Sequence, residues 1–110
     1  MEHVHAAELA LEHHPLEAAQ IVEGAPTTAL HPLWRHGAME VGIWEHAVGV
    51  STDVEAAETF VVLHGRARIA VDGGATIEVG PGDVVRLDAG AATTWTVTEA
   101  LRKVYLVDTV

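Results

Sequence analysis

The stretch Glu58-Thr59-Phe60-Val61-Val62-Leu63-His64-Gly65, continuing Arg66-Ala67-Arg68-Ile69-Ala70-Val71-Asp72-Gly73-Gly74, decides the fold. A carboxylate opens an apolar run that stops at Gly65. A second β-like run ends in an Asp-Gly-Gly turn. Residues 75–79 lead into Gly80-Pro81-Gly82-Asp83, and a fourth short run reaches Asp88-Ala89-Gly90. Short strands separated by glycine turns, with no helical period among them, predict an antiparallel sandwich or barrel. By the two-residue period, Phe60 and Val62 share the face of Glu58. Gly65 is expected to turn one strand sharply into the next.

Working outward, Thr93, Trp95 and Val97 share one face, and 101–107 reads as a closing strand. Upstream, Met39, Val41 and Ile43 share one face, while Glu40, Gly42, Trp44 and His46 share the other. Thr28 to Trp34 reads as an edge strand, because Pro32 is tolerated only at an edge or a bulge. Glu55-Ala56-Ala57 reads as a loop. Residues 1–24 form an N-terminal extension, and 25–110 a single domain. Good helix formers from His5 to His14 predict a helix broken by Pro15, with another short helical turn between Leu16 and Val22. His3, His5, His13 and His14 read as a solvated terminus rather than a metal site, since no rigid frame places a further ligand beside them.

The 110 residues are 49% hydrophobic and carry a formal charge of −10, from 16 acidic against 6 basic residues. One domain of this size buries a real core without staples. The charge repels phosphate backbones, so nucleic acid is not an expected partner. No apolar run approaches the ~18 residues of a membrane-spanning helix. The absence of cysteine removes disulfides, thiolate nucleophiles and thiolate metal ligands. Met1-Glu2-His3-Val4-His5 lacks the charged-then-apolar order of a signal peptide, so a cytoplasmic location is expected.

Glu58 followed by Gly65, and Gly82 followed by Gly90, resemble the two motifs of the cupin superfamily. Gly42-Ile43-Trp44-Glu45, Gly80-Pro81-Gly82-Asp83, Trp95 and Arg102-Lys103-Val104-Tyr105 resemble the small cupins grouped with ureidoglycine aminohydrolase and the ethanolamine-utilisation cupin. The resemblance covers about residues 25–108. It implies an all-β, double-stranded β-helix jelly-roll barrel, usually dimeric. It also implies, in the metal-bearing members, a divalent ion held by three His and one Glu. Glu58 keeps the glutamate place. The histidine places fall on Thr52 and Val54, or Ser51 and Asp53, and on Thr93, so all three histidines are missing. One carboxylate and two hydroxyls make a poor site for a transition metal. His64 cannot replace them by chain geometry, being ~20 Å from Glu58 along an extended strand. His46 is free to approach from a neighbouring strand, although a histidine at a strand end is more often simply hydrogen-bonded.

Glu58 is the candidate catalytic residue, as a general base, but it could equally form an ion pair with Arg102, Lys103 or Arg86. Trp44 and Trp95 either stack a planar ligand or pack the barrel mouth. Arg102 and Lys103 either hold a ligand carboxylate or lie at a solvated strand edge or dimer contact. The expected pocket is Trp44, Glu58, Phe60, Thr93, Trp95 and Tyr105. The function expected is small-molecule binding with a degenerate metal site and no cofactor beyond a weakly held divalent ion. The alternatives are a metal-dependent aminohydrolase, isomerase or oxygenase with unusual ligands, and a structural or accessory dimer. A homodimer is expected through the apolar faces of residues 28–43, with Trp34 and Met39. Sedimentation at tens of micromolar, about the range where a specific interface holds, should show a species of twice the 11.7 kDa chain mass. Monomer alone would refute it.

Overall fold

The computed structural model describes residues 1–109. Its strands in chain order are β1 His14–Pro15, β2 Ile21–Glu23, β3 Thr27–His36, β4 Met39–His46, β5 Gly49–Val54, β6 Glu58–Val71, β7 Thr76–Val79, β8 Val84–Leu87 and β9 Ala92–Asp108. Every pairing is antiparallel. Strands β6 and β9 pair along most of their lengths and organise the rest. The first half of β9 lies between β5 and β6, and its second half between β4 and β6. Strand β6 in turn carries β8 beside its first half and β7 beside its second. The sheet therefore curls around one interior.

That interior is read from the residue alternation. Thr93, Trp95 and Val97, then Leu101, Lys103 and Tyr105, are the buried positions on one face of β9. Phe60, Ile69 and Leu101 are completely buried, and each such side chain contributes ~1.5–3 kcal/mol through removal from water. On β6 the inward set changes parity, from Phe60 and Val62 to Ala67 and Ile69. Successive residues point to opposite faces, so one irregular step is needed to keep apolar residues inside. The register against β9 slips between Val62 and Ala67.

Gly65 sits in this slip, with φ +94°. A Cβ there would collide with the carbonyl of Ala100 and with Leu101 of β9. The turn expected at Gly65 is thus a bulge inside one long strand. The continuous pairing with β9 keeps the two apolar runs in line. Similarly, the separate runs 93–98 and 101–107 belong to one strand, β9. Pro32 lies where β3 slips against β4, the kind of irregular step at which a strand tolerates proline.

The N-terminal residues contain no α-helix. The helix expected from His5 to His14 is replaced by one turn, in which Glu8 N–H and Leu9 N–H both donate to the His5 carbonyl. A lone helix of this length is marginal in water. Here the Arg102 guanidinium takes the carbonyls of Ala6 and Leu9, at 2.9 and 2.7 Å, for its own hydrogen bonds. A three-residue 3-10 turn at Ala18–Gln20 does fall within 16–22. Strand β1 then pairs with β3, and β2 with β5, which ties this segment into the sheet.

Gly65→Ala should lower stability by upwards of ~2 kcal/mol, since it adds both a positive-φ penalty and a backbone clash. Urea unfolding would check this, and an unchanged midpoint would mean that the bulge does not need glycine.

Candidate functional site

The inner faces of β4 and β9 build the site. Cross-strand partners share a face, so Trp44 stands beside Lys103, and Gly42 beside Tyr105. A Cβ on Gly42 would fall on the Tyr105 ring and hydroxyl. Glycine at 42 therefore lets the tyrosine lie across β4, where its hydroxyl donates to Glu40 Oε2 at 2.9 Å. Burial, and then this bond to a carboxylate, push the Tyr105 phenol well above its usual range.

Lys103 is only 4% exposed. Its Nζ donates to Glu58 Oε2 at 2.6 Å. The same ammonium lies 4.3, 4.4 and 4.8 Å from the ring centroids of Phe60, Trp44 and Trp95. Three ring faces supply negative quadrupole where water has been removed, and the carboxylate supplies the countercharge. The rings also pack on one another, with centroids 5.3 Å apart for Trp44 and Trp95 and 5.7 Å for Phe60 and Trp95.

Above this pair opens a cavity of about 350 Å³. Trp44, Glu58, Trp95 and Tyr105, all expected in a pocket, line it. Phe60, also expected there, does not line the cavity: it is fully buried in the core, with its ring against the Lys103 ammonium. Thr93 is buried beside it and lines a neighbouring groove with Thr52 and Asp72. Of the two readings of Glu58, the ion pair is the arrangement present, and its partner is Lys103 rather than Arg102 or Arg86. Arg102 and Lys103 are not at a solvated edge, since both are buried. They point to opposite faces. Arg102 Nε donates to Glu45 Oε2 at 2.6 Å on the outside, where Glu45 Oε1 also meets His13 Nε2 at 2.6 Å. Burial works to raise the Glu45 carboxyl, but the bonds from His13 and Arg102 hold it below its ordinary range. Of the N-terminal histidines, His13 is thus bound rather than free, with its Nδ1 2.8 Å from Thr27 Oγ1.

Three of the polar cavity residues outside the expected pocket stand close to the buried pair or to His46. Glu55, in the loop after β5, is 8% exposed. Its Oε2 accepts from Thr93 Oγ1 at 2.6 Å and from Trp95 Nε1 at 3.1 Å. Burial raises the Glu55 carboxyl, and nearby Asp53 adds to this, against the two hydrogen bonds and the Lys103 charge. Ser51 accompanies His46 beside it, at 2.8 Å. Lys103 is the third. The available signal was parity: Ser51, Asp53 and Glu55 alternate on one face, and Lys103 falls among Leu101, Tyr105 and Val107.

The donors do not fit a transition-metal ion. Glu58 is engaged by an ammonium, and the remaining places hold hydroxyls, a valine and one carboxylate. Among the described residues no group of three His, Cys, Asp or Glu side chains converges as an ion would need.

The curled antiparallel sheet with a cavity at one mouth defines a cupin jelly-roll barrel. The chain belongs to the EutQ-like cupin family, whose model matches residues 33–105. Among solved structures, a protein of unknown function from Rhizobium leguminosarum is 25% identical over 73% of this chain and 79% of that one, with TM-score 0.66. A DUF861-family protein from Pseudomonas syringae is 23% identical, with TM-score 0.78, covering 92% of this chain and 45% of that one. This chain thus spans less than half of that protein. The EutQ protein of Clostridium difficile is 16% identical, with TM-score 0.68, covering 86% of this chain and 79% of that one. No match is found among curated proteins.

Lys103→Met should cost ~3–5 kcal/mol, because it leaves the Glu58 carboxylate buried without its partner. Adding Glu58→Leu should recover most of that loss, since two apolar side chains replace the pair. Urea unfolding of the single and double variants measures both, and a harmless Lys103→Met would show the pair to be solvated.

Proposed function

We propose that this chain binds a small polar molecule in the cavity above the Lys103–Glu58 pair and does so without a firmly held metal. The observation that carries the reading is a 350 Å³ cavity that combines aromatic walls with buried polar groups. Its volume lies at the lower end of the ~300–1,000 Å³ usual for ligand sites. A barrel serving only as an accessory dimer would have no need to keep that space open.

Charge narrows the ligand. Glu40, Asp53, Glu55 and Glu58 line the cavity with one lysine. An anion entering there meets more negative charge than positive, so a neutral or cationic molecule is favoured. Trp44, Trp95 and Tyr105 offer it flat walls, and Glu40 and Glu55 offer it acceptors. Lys103 takes the cationic role that an ion plays in metal-bearing cupins, at the same glutamate. A cytoplasmic homodimer is the setting proposed for this activity.

A thermal-shift screen of small neutral and cationic polar compounds, with and without Mn, Fe, Ni and Zn, tests the proposal. A ligand at 100 times its Kd adds ~2.7 kcal/mol of stability, which a melting curve resolves easily. Chelator should leave the melting temperature unchanged. A chelator-sensitive transition, or metal near one equivalent per chain, would replace this reading with the metal-enzyme one.

A further inference from the structure

Ligand binding as described leaves one pair of cavity side chains unused. His46 ends β4 and Ser51 lies within β5; they are 1% and 5% exposed, and both line the cavity. The hydrogen-bond directions between them can be assigned. His46 Nδ1 is 2.5 Å from the carbonyl oxygen of Ala47. A carbonyl only accepts, so Nδ1 carries the hydrogen. Burial, reinforced by the Lys103 charge, holds the imidazole below its usual basicity, although the Ala47 bond acts the other way. The ring is then neutral near pH 7, and Nε2 presents a lone pair. Ser51 Oγ lies 2.8 Å from Nε2, so the serine hydroxyl must be the donor.

A hydroxyl aimed at an imidazole, whose far nitrogen is fixed by an acceptor, is the arrangement of an activated serine. The backbone carbonyl sets the tautomer as a carboxylate would, with less compensation for the charge that develops on the ring. We propose that Ser51 is a nucleophile activated by His46 and accepts the acyl group of a small neutral or cationic ester. The proposal rests on the reading that the cavity admits a small molecule. As the bond from Ser51 Oγ to the carbonyl carbon forms, the hydroxyl proton passes to His46 Nε2. The ester C–O bond then breaks, and the alcohol leaves with that proton. Water, deprotonated in turn by Nε2, attacks the acyl-serine and releases the carboxylic acid. Lys103 is the one Lys or Arg among the described residues that line the cavity. Its ammonium, although paired with Glu58, adds a positive field to the cavity in which the carbonyl oxygen becomes negative.

Labelling with diisopropyl fluorophosphate, read by intact mass and peptide mapping, tests this. One adduct on Ser51 is expected. It should vanish in Ser51→Ala, survive in Thr52→Ala, and form at least ~100-fold more slowly in His46→Gln, the scale of a lost general base. Hydrolysis of p-nitrophenyl acetate should disappear with the adduct. If His46→Gln fails to fold, Ser51→Cys serves instead: iodoacetamide should alkylate its thiol faster in the folded protein than in urea. Slower alkylation when folded would overturn the proposal. An adduct equally fast in His46→Gln would overturn it too. Absence of an adduct, while a cavity ligand still raises the melting temperature, would end the nucleophile proposal and leave the binding reading standing. Absence of both would end the two together.

Discussion

An ammonium buried among three aromatic rings has to find a negative partner, and that requirement holds the centre of this barrel together. Lys103 comes from β9, Trp44 from β4, and Glu58 and Phe60 from β6. Trp95 comes from the other half of β9. Moving any of these strands by one residue would turn its side chain to the outer face. It would strand either the lysine or the carboxylate without water and without a partner, and the cost of an unpaired buried ion is several kcal/mol. The pair thus does more than add its own attraction: it penalises every register but one, in a protein whose long β6 and β9 would otherwise have freedom to slip.

The neighbouring residue on β9 performs a matching task on the outside. Arg102 binds Glu45 across the sheet and the carbonyls of Ala6 and Leu9 in the N-terminal segment. His13 closes the same cluster by reaching Glu45 and Thr27. These contacts hold the segment that goes on to supply Leu16 and Gln20 to the cavity lining. Two consecutive basic residues therefore serve the two faces of one sheet. The inner one satisfies the site, and the outer one anchors the chain that borders it.

The same geometry explains the chemistry left to the cavity. A metal ion would bring a Lewis acid and open coordination positions. An ammonium brings charge and hydrogen-bond donors only, and most of its charge is already answered by Glu58. The other polar groups there are a carboxyl raised by burial at Glu55, an imidazole held below its usual basicity at His46, and a serine hydroxyl oriented by it.

Residue order alone was enough for the fold and for much of the pocket. The alternation in 58–62 and 93–97, with glycine turns between, specified strands and their inner faces, because side-chain direction in a strand depends only on parity. With the resemblance to cupins, it named Trp44, Glu58, Trp95 and Tyr105 as pocket residues and found other residues at the histidine places of a metal cupin. Parity could not say which charged groups would meet. Glu58 had three basic candidates, and only the pairing of β6 and β4 with β9 brings Lys103 to it and turns Arg102 away. Nor could it show that Gly65 bends a continuous strand rather than ending one, or that Arg102 takes the carbonyls an N-terminal helix would need. Glu55 sat in a segment that reads as a loop, and His46 and Ser51 are five residues apart across a strand connection. Their meeting depends on sheet curvature and on burial, which are properties of the assembled barrel and of no single stretch of chain.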